Sequence, residues 1–166
     1  LPLDSLRRQQ RLDVCAQCHS GLRERILKGN SFSFLSGEIL DEYVQNAYQA
    51  TSNAELDVHG NQYALLTSSK CFLESKTMDC STCHDIHKNQ RGKTDYFINK
   101  CMECHSEQSP CMASIALRNE KKDNCISCHM PLRPSKSMFM EMAGGIDKTP
   151  VMVRTHLIDS YIEELE

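Results

Sequence analysis

The stretch Cys80-Ser81-Thr82-Cys83-His84-Asp85-Ile86-His87 contains the pattern that decides the fold, Cys-x-x-Cys-His. The pattern occurs three more times in the 166-residue chain, at Cys15/Cys18/His19, Cys101/Cys104/His105 and Cys125/Cys128/His129. We number these motifs 1 to 4 in chain order, so that the quoted stretch is motif 2. The pattern is typical of haem c attachment, in which two thiols on one helical turn add to the vinyl groups of a porphyrin. The sequence therefore predicts four covalently bound haems.

The roles of the motif residues follow from this chemistry. The eight thioether-forming cysteines are Cys15, Cys18, Cys80, Cys83, Cys101, Cys104, Cys125 and Cys128. The proximal iron ligands are His19, His84, His105 and His129. Two other sites use Cys-x-x-Cys, namely structural zinc and thioredoxin-like redox pairs, and neither needs a histidine at the next position. Because histidine makes up only 7 of 166 residues, its presence after all four pairs favours haem.

The fold class follows from the cofactor load, which is one haem for about 41 residues. Tryptophan is absent and aromatic residues make up 6%, so we expect the porphyrins to fill much of the interior. We predict a mostly α fold with a high loop fraction, organised as one compact multihaem domain (1–166) around four stacked haems. Its first haem lies at 15–19 and a three-haem cluster at 80–129. Such a chain should be unfolded without its cofactors.

Local patterns predict four helices, at 38–49, 61–69, 94–104 and 112–122. The two prolines of 130–134 predict a loop, and Gly144-Gly145 predicts a turn. No segment shows the strict alternation of a strand. No apolar run approaches 18 residues, so we expect no transmembrane segment.

Charge bears on the partners. The polypeptide carries a net charge of −3, and two propionates per haem with a ferric core bring the oxidised protein to roughly −7. The sequence has no cluster of lysine and arginine that could bind phosphates, so we expect no nucleic-acid partner. The expected partners are redox proteins or copies of the chain itself. Because haem c is attached outside the cytoplasm, we expect a periplasmic or extracellular protein, present here as a mature form or as a piece of a longer chain.

Two cysteines, Cys71 and Cys111, lie outside the motifs. The expected compartment permits disulfides, so we predict a Cys71–Cys111 disulfide. The alternative is a pair of small buried thiols.

The second axial position of each iron needs a further ligand, and the candidates are the remaining histidines, His59, His87 and His156. His87 lies three residues after His84 and cannot reach the far side of the same porphyrin, so we expect it to ligate a neighbouring haem. We predict that His156 serves the haem of motif 4 and that His59 serves the haem of motif 2.

Three histidines for four haems leave one iron without a histidine as its second axial ligand. A methionine could be that ligand and would raise the potential of the haem. The candidates are Met130, Met138, Met140, Met142 and Met152. The alternative for this group is flexible packing against porphyrin edges. The iron could also stay five-coordinate, or take a histidine from another subunit or from a preceding segment.

The order of short motifs resembles a known family. Val58-His59-Gly60, Ser69-Lys70-Cys71-Phe72, motif 2 with His87, Asn124-Cys125 through Met130-Pro131, and Arg154-Thr155-His156 follow one another. This series is similar to multihaem cytochromes c, specifically the tetrahaem cytochromes of nitrification and the multihaem nitrite reductases. The resemblance covers roughly 55–160, with motif 1 matched by its attachment pattern alone. It implies bis-histidine haems packed in alternating parallel and perpendicular pairs as an electron conduit.

Two departures from that family bear on function. Its members usually carry further haem motifs before the equivalent of motif 1, which could supply the missing ligand to that haem. The nitrite reductase motif with lysine in place of histidine is absent. We therefore expect an electron carrier, including the version in which copies polymerise into an extracellular filament.

Two alternatives stay open beside the electron carrier. One is an oxidoreductase with one five-coordinate haem, for which Arg23, Arg25 or Tyr43 could supply a proton. The other is a subunit of a larger redox complex.

Overall fold

The computed structural model describes residues 2–21, 23–46, 61–105, 111–121, 124–141, 144 and 148–161. Within these ranges the α-helices are α1 (Arg8–His19), α2 (Gln62–Thr67), α3 (Lys70–Glu74), α4 (Cys80–Cys83), α5 (Thr94–Met102), α6 (Ile115–Glu120) and α7 (Cys125–His129). The strands are β1 (Arg23–Ile26), β2 (Val44–Asn46), β3 (Leu132–Glu141) and β4 (Lys148–Arg154). Single 3-10 turns occupy Leu3–Ser5 and Leu40–Glu42.

The fold is mixed, which corrects the expectation of a mostly α chain without strands. Helix exceeds strand, and the helices other than α1 and α5 are one or two turns long. The strands form two antiparallel pairs, β1 with β2 and β3 with β4. Long connecting segments separate these elements, as expected for a high loop fraction. Among the described helices, none combines the length and the apolar character that crossing a bilayer requires.

Three predicted helices are present. α2 lies inside the predicted range 61–69, and α5 covers most of 94–104. α6 is shorter than the predicted 112–122 because Ser114 caps its start by accepting a hydrogen bond from the Leu117 amide at 3.2 Å.

The helix predicted over 38–49 is wrong in its described part, which forms the 3-10 turn Leu40–Glu42 and then β2. Of the described apolar side chains that suggested a helix, Leu40, Tyr43 and Val44 are buried and Ile39 is exposed. Leu40 and Tyr43 reach the core from the 3-10 turn and its end. Val44 reaches it from β2, which satisfies its backbone by pairing with β1, where Val44 lies opposite Ile26. Tertiary packing here overrides the helical period.

The loop predicted at 130–134 is also wrong from residue 132 onward, because β3 begins at Leu132 and includes Pro134. Pro134 lies opposite Met152, and the register shifts between Pro134 and Phe139. A two-stranded ribbon tolerates a proline since each strand has one open edge and an irregular register leaves some amides unpaired. The predicted turn is present at Gly144, whose φ of 84° favours glycine.

The apolar core of the polypeptide is small. One buried cluster joins Ala16 of α1 to Phe34, Leu40, Tyr43 and Val44, and a second joins Leu65 of α2 to Leu157. Among the described residues, 11 apolar side chains are buried, whereas 14 large ones are exposed, including Phe32 and Met112. The first cluster lies behind motif 1 and fixes the position of the helix that carries it.

Candidate cofactor-attachment site

In every motif the cysteines and the histidine lie on one helical turn. Motif 1 forms the last turn of α1, and motif 4 is α7 itself. In motifs 2 and 3 the histidine amide donates to the carbonyl of the first cysteine at 2.9 Å, from His84 to Cys80 and from His105 to Cys101. Both thiols of a motif are thereby held about one turn apart, the local geometry on which haem c attachment depends.

Motifs 1 and 2 are joined by an ion pair. The Arg11 guanidinium on α1 donates to the carboxylate of Asp79 at 2.5 Å. Asp79 is buried at the start of α4, where it also accepts from the Ser81 amide at 2.8 Å. Burial acts to raise the pKa of Asp79, but the hydrogen bonds from Ser81 and Arg11 outweigh it and hold that pKa below its ordinary value. The carboxylate therefore stays ionised and ties α1 to the motif 2 helix.

The first thiols of motifs 1 and 2 interact. The interaction between Cys15 and Cys80 lowers the pKa of the Cys15 thiol and raises that of Cys80. Arg8 strengthens the same junction, because its guanidinium donates to the carbonyls of Met78 at 2.6 Å and Phe72 at 3.1 Å. The attachment points of two different motifs are thus neighbours in space.

The thiols of the later motifs continue this series. The pKa of Cys83 in motif 2 is raised by burial and also by the nearby thiols of Cys71 and Cys104. The pKa of Cys101 in motif 3 is raised to about 11, first by burial and then by neighbouring thiols, foremost that of Cys125 in motif 4. The helices that carry successive motifs are neighbours in the fold, since α1 contacts α4, α4 contacts α5 and α5 contacts α7.

The imidazole of His84 has aromatic neighbours on two sides. The His156 ring lies with its centre 6.1 Å away and its plane inclined by 20°, and the Phe97 ring of α5 lies at 5.3 Å in an edge contact. His84 is exposed to solvent as a residue. Partial desolvation of its ring and the proximity of His19 lower its pKa, and a hydrogen bond with Gln90 opposes them. The structure thus brings the distal candidate His156 to motif 2.

His156 is held from the opposite side by Ser69, which lies between α2 and α3 and is fully buried. The Ser69 hydroxyl donates to the His156 carbonyl at 3.0 Å and accepts from the Ile158 amide at 2.8 Å. Burial lowers the pKa of His156 to about 4, so the ring is neutral at physiological pH, as a metal-binding imidazole must be.

Motif 4 is contacted by the segment after β4. The Nδ1 atom of His129 lies 2.8 Å from the Asp159 carbonyl oxygen, which fixes the tautomer that leaves Nε2 for a metal. The Asp159 amide donates back to the His129 carbonyl at 3.3 Å. Arg154 donates to the Met130 carbonyl at 2.6 Å and thereby attaches the base of the β3–β4 ribbon to α7.

The remaining predicted ligands are not brought to a second histidine in the described residues. His87 is exposed in a turn after α4, where its amide donates to the Asp85 carboxylate at 3.0 Å. His59 and Met142 lie outside the described residues. Met138, Met140 and Met152 lie on the β3–β4 ribbon, the last two with exposed side chains, and Met130 follows motif 4 directly.

The predicted disulfide is not formed in the structure. Cys71 and Cys111 are both free thiols, and Cys111 is exposed. Cys71 is half-buried on α3, where burial raises its pKa and the thiol of Cys104 raises it further.

Neither described proton-donor candidate faces a motif histidine. Tyr43 is buried behind motif 1, where its hydroxyl donates to the Glu38 carboxylate at 2.5 Å and accepts from Lys28 at 2.9 Å. Arg25 is exposed on β1 opposite Gln45. The backbone of Arg23 lies on the same strand, opposite Asn46.

The donor set suits haem c. In the described part of the chain, no three His, Cys, Asp or Glu side chains converge on a point that could hold a metal ion. A haem needs no such convergence, because its thioethers come from one motif and its axial ligands from opposite faces. The cysteine pairs and the imidazole that follows each pair would provide the thioethers and one axial ligand of each haem.

Several residues of the site carry no signal that sequence reasoning recognised. The contacts of Arg11 and Ser69 are with residues that are distant in sequence. The contact of Gln90 with Asp85 lies in a turn. No local sequence pattern therefore marks these three residues. Asp79 is different, because a carboxylate directly before a short helix is a common N-cap. That signal could have identified it.

Comparisons with known proteins give no family. No protein-family model matches the chain, and no curated protein and no solved structure is significantly similar to it. The resemblance to multihaem cytochromes therefore rests on the short motifs and their order. The chemistry of the motif residues carries the functional argument.

Proposed function

We propose that the chain is an electron-transfer protein that carries four covalently bound haem c groups. The observation that carries this proposal is the adjacency of the helices that carry successive motifs, since α1 contacts α4, α4 contacts α5 and α5 contacts α7. Cofactors attached at adjoining points lie close together, and close packing is what electron exchange within a protein requires.

Each bound haem supplies a one-electron couple between ferric and ferrous iron. The motif cysteines fix the positions of the four groups, and the motif histidines supply one axial ligand to each. Arg11 and Asp79 hold the helix of motif 1 against that of motif 2, and the Asp159 carbonyl orients His129. The large number of exposed apolar side chains supports the proposal, since porphyrins attached at these sites would cover apolar surface.

The proposal includes the cellular location and the partners of the protein. Haem c attachment implies export, so we place the chain in the periplasm or outside the cell, with redox proteins or further copies of itself as partners. The resemblance to the tetrahaem cytochromes of nitrification supports a carrier with mostly bis-histidine, low-potential haems. The polymeric version is a filament in which one copy contacts the next.

The test is the haem content of the chain produced in a host that attaches haem c. Intact mass and the absorbance of the pyridine haemochrome should give four haems per chain, and a reductive titration should take up four electrons. The double variant Cys101→Ala/Cys104→Ala should retain three haems. Its control, Cys71→Ala, removes a neighbouring thiol outside the motifs and should retain four. A colourless protein with bound zinc would refute the proposal.

A further inference from the structure

We propose that His84 and His156 are the two axial ligands of one haem iron, that of motif 2. This inference rests on the proposed function and adds a specific ligand pair to it. It differs from the prediction made from sequence, which paired His156 with motif 4 and left motif 2 to His59. It also implies that the segment after β4 reaches back across the fold to motif 2.

The spacing of the two rings carries the inference. A metal–imidazole bond is about 2 Å long and the ring centre lies about 1.1 Å beyond the nitrogen, so two imidazoles on opposite sides of one iron have centres roughly 6 Å apart. The centres of the His84 and His156 rings are 6.1 Å apart. The two rings are stacked, with their planes inclined by only 20°. Two imidazoles that share one axis through a metal can have this inclination, and an offset-stacked pair of free rings has the same inclination and spacing. Methionine substitution separates the two arrangements, because only a change of ligand raises the potential of a haem.

The surroundings of His156 favour a ligand. Its Nδ1 atom lies 3.4 Å from the Arg154 carbonyl oxygen, which suits the tautomer with the proton on Nδ1 and the lone pair on Nε2. Its backbone is fixed by the buried Ser69, and the adjacent Leu157 packs on Leu65. The ring is therefore held at one position opposite His84, as a distal ligand needs to be.

The inference changes the ligand count elsewhere. With His156 assigned to motif 2, His59 and His87 remain for the haems of motifs 1, 3 and 4. His87 is exposed beside motif 2, where it can reach a neighbouring haem of this chain or of another copy. One of these three haems has no histidine of the chain left for its second position.

Methionine substitution tests the pairing, because a thioether ligand raises the potential of the haem that receives it. In His84→Met and in His156→Met, one of the four potentials should rise. In the double variant His84→Met/His156→Met, a single potential should still be displaced, because both changes fall on one iron. Two displaced potentials would overturn the pairing. The matched control His129→Met/His156→Met should displace two potentials, because the proposal places these two ligands on different irons.

A second measurement avoids any change to a motif histidine. His156→Ala should add carbon monoxide binding at about one site per reduced chain. In the background Cys80→Ala/Cys83→Ala, which lacks the haem of motif 2, the same change should add none. Added binding in that background would mean that His156 ligates a different haem. Intact mass reports the haem content of each protein, so absence of haem from the unaltered chain counts against the proposed function, whereas these ligand readouts count against the pairing alone.

Discussion

The Arg11 guanidinium and the buried Asp79 carboxylate lie 2.5 Å apart and join the helix that carries motif 1 to the start of the helix that carries motif 2. The carboxylate of this ion pair lies near the interacting thiols Cys15 and Cys80. The separation between the first two attachment points therefore depends on one hydrogen-bonded charge pair as well as on apolar packing.

Replacement of Arg11 by methionine should destabilise the haem-loaded protein. The change preserves most of the apolar stem but leaves the Asp79 charge buried without its cation, a loss of about 3 kcal/mol for a buried pair. Chemical denaturation followed by the haem absorbance measures the free energy of unfolding. The control Lys148→Met breaks an exposed ion pair with Glu141 and should cost less than about 1 kcal/mol. Equal losses in the two variants would contradict the role of the Arg11–Asp79 pair.

Asp79 should also make stability depend on pH. Its pKa is lowered in the folded protein, so its contribution is present above the unfolded value, about 3.9, and is lost as the pH falls through the folded value. Denaturation measured at a series of pH values from about 6 to about 3 should show this loss, because this range includes the unfolded pKa of about 3.9. In Asp79→Asn the free energy of unfolding at pH 6 should be lower and its fall with acid weaker. An unchanged acid dependence in that variant would show that other groups cause it.

The hydroxyl of Ser69 should hold His156 in place. Ser69→Ala removes the partner of the Ile158 amide and of the His156 carbonyl in a buried place, a cost of about 1–3 kcal/mol. If His156 is an axial ligand, a less firmly held His156 should dissociate from the iron more often. Carbon monoxide binding by the reduced protein should then increase. Ser114→Ala is the matched control, since it removes the cap of α6 and leaves the segment around His156 unchanged. Carbon monoxide binding that rises equally in both variants would mean that the effect is not specific to this segment.

The sequence predicted the local parts of the site and missed the long-range ones. The helical turn of each motif follows from the four-residue spacing of first cysteine and histidine, and α2 and α5 follow from local period. β2 was predicted as helix, because only pairing with β1 makes an extended segment favourable there. His156 lies 72 positions after His84, so no local pattern could show that their rings meet. The contact of Ser69 with the His156 carbonyl is set by tertiary packing in the same way.

The haem-free chain should lack a cooperative fold. In the described residues its buried apolar clusters are small, and several large exposed apolar side chains, namely Ile86, Met102 and Leu132, lie in a motif or within three residues of one. Without the porphyrins these side chains face water, and the loss of apolar burial leaves too little to offset chain entropy. A variant with all eight motif cysteines changed to serine should therefore unfold without a sharp thermal transition and should bind a dye specific for exposed apolar surface. The haem-loaded chain, as control, should unfold cooperatively and bind little dye. A cooperative transition in the eight-serine variant would show that the polypeptide folds by itself and that the haems are added to a preformed core.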